Sequence, residues 1–152
     1  MIKIGDLGLA AKLEFDGQRK RTVCGTPNYI APEILDAKDG HSYEVDTWAI
    51  GVILYTMLVG KPPFETSDIK TTYRRIRLTA YTFPEHITIS EEAKNLISRI
   101  LHADPKRRPT LDEVLGDSFF NKGGSIPKTL PPSTLACPPS TLYMRKFLPE
   151  EF

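Results

Sequence analysis

From Val45 to Gly60 the chain reads Val-Asp-Thr-Trp-Ala-Ile-Gly-Val-Ile-Leu-Tyr-Thr-Met-Leu-Val-Gly, and no other stretch limits the fold as strongly. Its apolar residues Val45, Trp48, Ile50, Val52, Ile53, Leu54, Met57 and Leu58 fall on every face of a helix. Such a pattern predicts a helix buried all round. Gly60 and the pair Pro62-Pro63 stop it. The uninterrupted apolar part, Trp48 to Gly60, is bounded by Asp46 and Lys61. That is well short of the roughly 20 residues needed to cross a bilayer. The run predicts the middle of a helical core, with neighbours required on all sides.

Weaker signals surround it. Met1 to Ile4 suits a short strand entering a turn at Gly5. Residues 9 to 31 lack periodicity, carry Gly17, Gly25 and Pro27, and read as a loop. Pro32 opens a short helix through Leu35. A helix is expected from Asp68 to about Leu78, with Ile69, Tyr73 and Ile76 on one face. Ser90 caps a clearer one, with Glu91 and Glu92 in its first turn. Its residues Ala93, Leu96, Ile97, Ile100 and Leu101 keep the spacing of one buried face. Thr110-Leu111-Asp112-Glu113 is a capping-box signature. Beyond Asn121 lie six of the thirteen prolines, which excludes regular helix and central strand there. Two segments result: a mainly α-helical body over 1–121 and a Pro-rich extended tail over 122–152.

Composition narrows the function classes. Of 152 residues, 40% are hydrophobic and 26% charged, as in an ordinary globular protein. Twenty basic and nineteen acidic side chains leave a formal charge of +1, which calls for neither nucleic acid nor an anionic membrane. Cys24 and Cys137 are too few and too far apart for a zinc cluster. A disulfide between them is arithmetically open, but the lack of a secretory signal favours a reduced intracellular setting.

Several residues carry chemistry. Asp6, in the turn Gly5-Asp6-Leu7-Gly8, can offer a carboxylate to a divalent ion, although such a turn by itself is more often only a turn. Thr22 follows Arg19-Lys20-Arg21, and phosphate there would add about −1.5 to −2 charges able to pair with arginines. An unmodified threonine in a solvated basic loop is the plainer reading. Asp46 at the start of the apolar helix reads as a cap.

Taken in order, Lys3-Ile4-Gly5-Asp6-Leu7-Gly8-Leu9-Ala10, Cys24-Gly25-Thr26-Pro27-Asn28-Tyr29-Ile30-Ala31-Pro32-Glu33 and Gly40-His41-Ser42-Tyr43-Glu44-Val45-Asp46 resemble a eukaryotic serine/threonine protein kinase. The stretch Leu58 to Ser67 and the run Ile126 to Pro131 resemble the polo-like kinases in particular. The likeness extends to about residue 139. It implies the C-terminal lobe of a kinase fold, which is α+β when complete. It also implies transfer of the ATP γ-phosphoryl group to protein Ser/Thr in mitotic control, with ATP and Mg2+ as cofactors. In that pattern Asp6 is the magnesium ligand on the ATP side, with leucine replacing the commoner phenylalanine after it. Thr22 is the phosphosite of an upstream activating kinase. Gly25, Thr26 and Pro27 form the substrate loop, and the Thr26 hydroxyl meets the catalytic aspartate. Glu33 pairs with Arg108, and Asp46 holds the catalytic loop through its backbone N–H groups, a role compatible with capping. Protein substrates are the implied partners, with no nucleic acid and no membrane. Cytoplasm, nucleus and centrosome or spindle are the implied locations.

The chain departs from the pattern in what it lacks. It contains no Gly-x-Gly-x-x-Gly, no Val-Ala-Ile-Lys and no His-Arg-Asp; His41, His86 and His102 are followed by Ser42, Ile87 and Ala103. The catalytic aspartate and the ATP lysine of the pattern lie upstream of Asp6, so no catalytic residue is present. Two readings follow: a fragment of a polo-like kinase, inactive by itself and beginning late, or a non-catalytic lobe that engages kinase partners or substrates. In either, an all-round apolar helix without its upstream neighbours predicts exposed apolar surface and marginal stability.

Overall fold

The computed structural model describes residues 4–36 and 38–121, which belong to one compact unit, Met1–Lys122. In chain order its helices are α1 (Pro32–Asp36), α2 (Glu44–Val59), α3 (Ile69–Arg77), α4 (Glu91–Ile100), α5 (Leu111–Leu115) and α6 (Ser118–Asn121). Short 3-10 turns form at Leu7–Leu9, Pro27–Tyr29 and Pro105–Arg107. Among the described residues there is no strand, only an isolated antiparallel bridge between Lys20 and His41. The mainly α expectation holds.

Local chemistry explains the helix ends. Gly60, at φ 88°, closes α2 in the left-handed conformation, and its N–H donates to the Thr56 carbonyl at 2.8 Å. The Asp68 carboxylate accepts from the Thr71 N–H at 2.8 Å and the Thr71 hydroxyl at 2.7 Å at the start of α3. The Ser90 hydroxyl caps α4 by accepting from the Ala93 N–H. Thr110 and Glu113 exchange both capping-box bonds at α5.

α2 is the hub, and α4 is its principal neighbour. Gly51 lets the two helices close up: a Cβ there would collide with Ile100 Cγ2 and lie 2.9 Å from Leu101 Cδ2. Around them Ile30, Ala31, Ile34, Trp48, Val52, Tyr55, Phe64, Ile76, Ile97 and Leu101 form the main core. Trp48 stacks on Phe64 with ring centroids 5.4 Å apart, and Tyr81 meets Tyr55, Phe64 and Phe83 edge-on. Leu96, Ile100 and Val114 form a second cluster with Phe119 and Phe120.

Several expectations are corrected or lie outside the described residues. α2 is not buried all round: Trp48, Val52 and Tyr55 face the core, while Ile50, Ile53 and Met57 are exposed, Met57 at 79%. The reason is that the described residues supply neighbours on one side, and the predicted exposed apolar surface is there. On α3, Ile69 is exposed at 56% and Thr72 is buried in its stead, its hydroxyl satisfied by Thr66 Oγ1 at 2.8 Å and by the Asp68 carbonyl. Helix α6, with Asp117 Oδ1 accepting from the Phe119 N–H, was not foreseen. Of the expected strand only Ile4 is described, exposed and outside any strand. The Pro-rich tail and Cys137 lie outside the described residues, and Cys24 is exposed and free.

Candidate functional site

The best-built polar feature joins α1 to the turn before α5. Arg108 Nη1 and Nη2 donate to Glu33 Oε1 and Oε2, each at 2.7 Å, in a two-pronged fork. The Arg108 side chain is fully buried and that of Glu33 is 12% exposed. All five guanidinium donors are engaged. Beyond the fork, Nε donates to the His102 carbonyl at 2.9 Å, Nη1 to the Glu44 carbonyl at 2.8 Å and Nη2 to the Ala103 carbonyl at 3.4 Å. The guanidinium carbon lies 4.9 Å from the Trp48 ring centroid, so the cation rests on the indole face. Burying an arginine this deeply is tolerable only because every donor is matched. The kinase resemblance pointed to the pair but not to the three carbonyls or to Trp48, because backbone acceptors leave no residue signature. Behind the fork, Glu44 Oε2 and Trp48 Nε1 are buried without a partner among the described residues.

The fork anchors the C-terminal end of the loop that carries Thr22 and Gly25-Thr26-Pro27. Ile30, Ala31 and Pro32 are buried immediately before it, whereas Thr22, Gly25 and Thr26 are exposed. Thr26 adopts extended backbone, its carbonyl accepts from the Tyr29 N–H at 3.0 Å, and Pro27 opens the short turn that follows. Gly25 sits at φ 128°, a backbone that side chains rarely adopt. Asn28 Nδ2 reaches Glu65 Oε1 at 3.3 Å. Upstream, Lys20 and His41 exchange two backbone hydrogen bonds of 2.9 Å, and Arg19 Nη1 donates to the Gly40 carbonyl at 3.2 Å. A Cβ at Gly40 would lie 2.8 Å from the Lys20 carbonyl oxygen, so this crossing requires glycine. The loop is thus pinned at both ends, with Thr22 exposed in between.

Asp6 precedes the Leu7–Leu9 turn with φ 56° and ψ 70°, a left-handed backbone that aspartate adopts more readily than most residues. It is exposed, and among the described residues no group of three or more His, Cys, Asp or Glu is placed to hold a metal. A single hard carboxylate fits Mg2+, which is commonly held by one or two carboxylates and completed by phosphates and water. Asp46 is the third residue of α2, exposed, with Tyr43 at the N-cap and no side-chain cap bond. Its reading as the cap is therefore corrected, although an acid in the first turn still complements the helix dipole. The structure brings Glu33 and Arg108 together and leaves Asp6, Thr22 and Asp46 as separate exposed groups.

The protein kinase domain family model matches residues 1–120. The chain is 61% identical over 150 residues to "Probable serine/threonine-protein kinase CCRP1" of Zea mays, covering 99% of this chain and 24% of that protein. It is 57% identical over 138 residues to "Serine/threonine-protein kinase PLK1" of Xenopus laevis, covering 91% of this chain and 22% of the relative. To "Cell cycle serine/threonine-protein kinase CDC5/MSD2" of Saccharomyces cerevisiae it is 48% identical over 140 residues, 91% of this chain and 20% of the relative. The chain thus spans about a quarter or less of the length of these curated relatives.

Proposed function

The chain belongs to the protein kinase family and is related to the polo-like kinases, and from that premise we propose that residues 1–121 are the activation segment and helical lobe of an enzyme transferring the ATP γ-phosphoryl group to protein serine or threonine. Residues 122–152 would then be a Pro-rich linker. When bound, Mg2+ and ATP supply the phosphoryl group and the charge neutralisation that its transfer needs. The protein's part in this reading is positional. Asp6 holds the ion with its carboxylate, and Gly25, Thr26 and Pro27 offer exposed backbone to an extended substrate. Phosphate on Thr22, added by an activating kinase, orders the pinned loop. Asp46 holds the catalytic loop, and the Glu33–Arg108 fork fixes the substrate loop to the helical body. That fork is the observation that carries the reading, because it ties the end of the loop to a distant motif with every donor satisfied. A role in mitosis, and residence in cytoplasm, nucleus and at centrosomes or spindle poles, follow from the polo-like relation.

Within these 152 residues there is no Gly-rich phosphate loop, ATP lysine or His-Arg-Asp loop. We therefore expect the chain by itself to transfer no phosphate from radiolabelled ATP and Mg2+ to a serine/threonine peptide; turnover that disappears in Asp6→Asn would overturn this. A second reading, a non-catalytic lobe engaging kinase partners or substrates, is favoured by the exposed loop combined with those missing motifs. An immunoblot of source cells with antibody to residues 121–140 separates the two. A band several times larger than 17 kDa supports the kinase reading, and one at that mass supports the binding lobe.

A further inference from the structure

Helix α3 has the sequence Ile-Lys-Thr-Thr-Tyr-Arg-Arg-Ile-Arg, with four cations and no acid. Thr72 and Ile76 turn inward, so Lys70, Arg74 and Arg77, at i, i+4 and i+7, share the outward face. Arg77 is held in place by Asp36 Oδ1 at 2.9 Å and the Leu35 carbonyl at 3.1 Å. The side chains of Lys70 and Arg74 have no hydrogen bond or ion pair among the described residues. Like charges four apart weaken a helix. The helix dipole welcomes the three arginines of the last turn but opposes Lys70 in the first. Helix formation therefore does not account for this stripe.

The stripe also leads somewhere. Arg77 forms part of the wall of a cleft of about 550 Å3 that Lys38 and Lys106 line as well. The same wall also holds Glu33, Asp36, Asp39 and Asp104, which balance its four cations, so the excess positive charge belongs to the helix face and not to the cleft. At the two ends of the helix Ile69 and Leu78 are exposed, Leu78 at 66%.

We propose that the outer face of α3 is a docking surface for an extended acidic segment of a partner protein, lying along Lys70 and Arg74 toward Arg77. The spacing fits the two unpaired cations: Lys70 and Arg74 are about 6 Å apart along the helix axis, and alternate residues of an extended chain are about 6.6 Å apart. Acids two positions apart therefore meet Lys70 and Arg74, the two cations of the stripe whose side chains have no partner among the described residues. Being a property of this face, the docking goes beyond phosphoryl transfer and does not depend on it.

The test uses the full 152-residue chain and a fluorescein-labelled peptide, Leu-Glu-Ser-Glu-Ser-Glu-Ser-Leu, followed by fluorescence anisotropy. Binding should weaken at least about tenfold in Lys70→Glu/Arg74→Glu and lessen in Lys70→Gln/Arg74→Gln. It should be unchanged in Lys94→Glu on α4. Far-ultraviolet circular dichroism of every variant should match the parent, since all of these positions are at the surface. Absence of binding by the parent chain, or equal weakening in Lys94→Glu, would overturn the proposal. So would capture of phosphatidylserine vesicles through Lys70 and Arg74 with no peptide binding, because the surface would then serve a membrane.

Discussion

Arg108 shows how much one residue can hold. With five donors matched and its plane on Trp48, its removal or the removal of its anion leaves buried groups unpaired. Glu33→Ala is expected to lower unfolding free energy by about 3 kcal/mol, the low end for breaking a buried pair, because three carbonyls still hold the arginine. Urea titration measures it, and Glu33→Leu/Arg108→Met should cost less than the two single changes summed. Thr79 has the opposite character. It is β-branched at φ 49°, just past the end of α3, with a buried hydroxyl lacking a partner. Thr79→Gly should therefore raise stability by about 1 kcal/mol, the left-handed penalty exceeding the entropy glycine adds to the unfolded chain. An unchanged or lower urea midpoint would show that the threonine is better accommodated than its backbone implies.

At the level of elements, the close approach of α2 and α4 rests on Gly51. Gly51→Ala should cost about 1–3 kcal/mol by overpacking against Ile100 and Leu101, read as a drop in the thermal midpoint. The capping acids add a pH dependence. Hydrogen bonds from Thr71 hold the Asp68 carboxyl below its ordinary range, and those from Thr110 do the same for Glu113. A lowered folded pKa contributes stability that is present above the ordinary value of about 4 and lost as pH falls through the folded one. Protection of the Thr71 and Thr110 amides against exchange, taken relative to their intrinsic rates, should therefore fall below that pH, and Asp68→Asn should remove the dependence at Thr71 alone. These caps were legible in the sequence because a cap is a local pattern of residue types, as was the buried face of α4. Which side of α2 would be covered was not legible, since an apolar residue on every face carries no direction. Nor was the burial of Thr72, which depends on Thr66 being near enough to take its hydroxyl.

For the molecule as a whole, an apolar hub helix with one uncovered side sets the solution behaviour. Ile53 and Met57 should recruit a hydrophobic dye and drive concentration-dependent association of the 152-residue chain. Ile53→Glu/Met57→Glu should reduce both in light scattering while leaving the core intact, and persistent association would place the sticky surface elsewhere. The polar bonds that join distant parts of the chain, Glu33 to Arg108 and Arg77 to Asp36, were legible only in part. Their partners are far apart in sequence, so only the first, carried by two recognisable motifs, could be foreseen. Trp48 is the single tryptophan of the chain, and it sits where the core and the fork meet, in contact with both the Phe64 ring and the Arg108 cation. The protein therefore carries its own optical gauge: its intrinsic emission comes from one site, and shifts in its wavelength report water reaching that site. Release of the loop from Arg108 would change that colour before the helices melt.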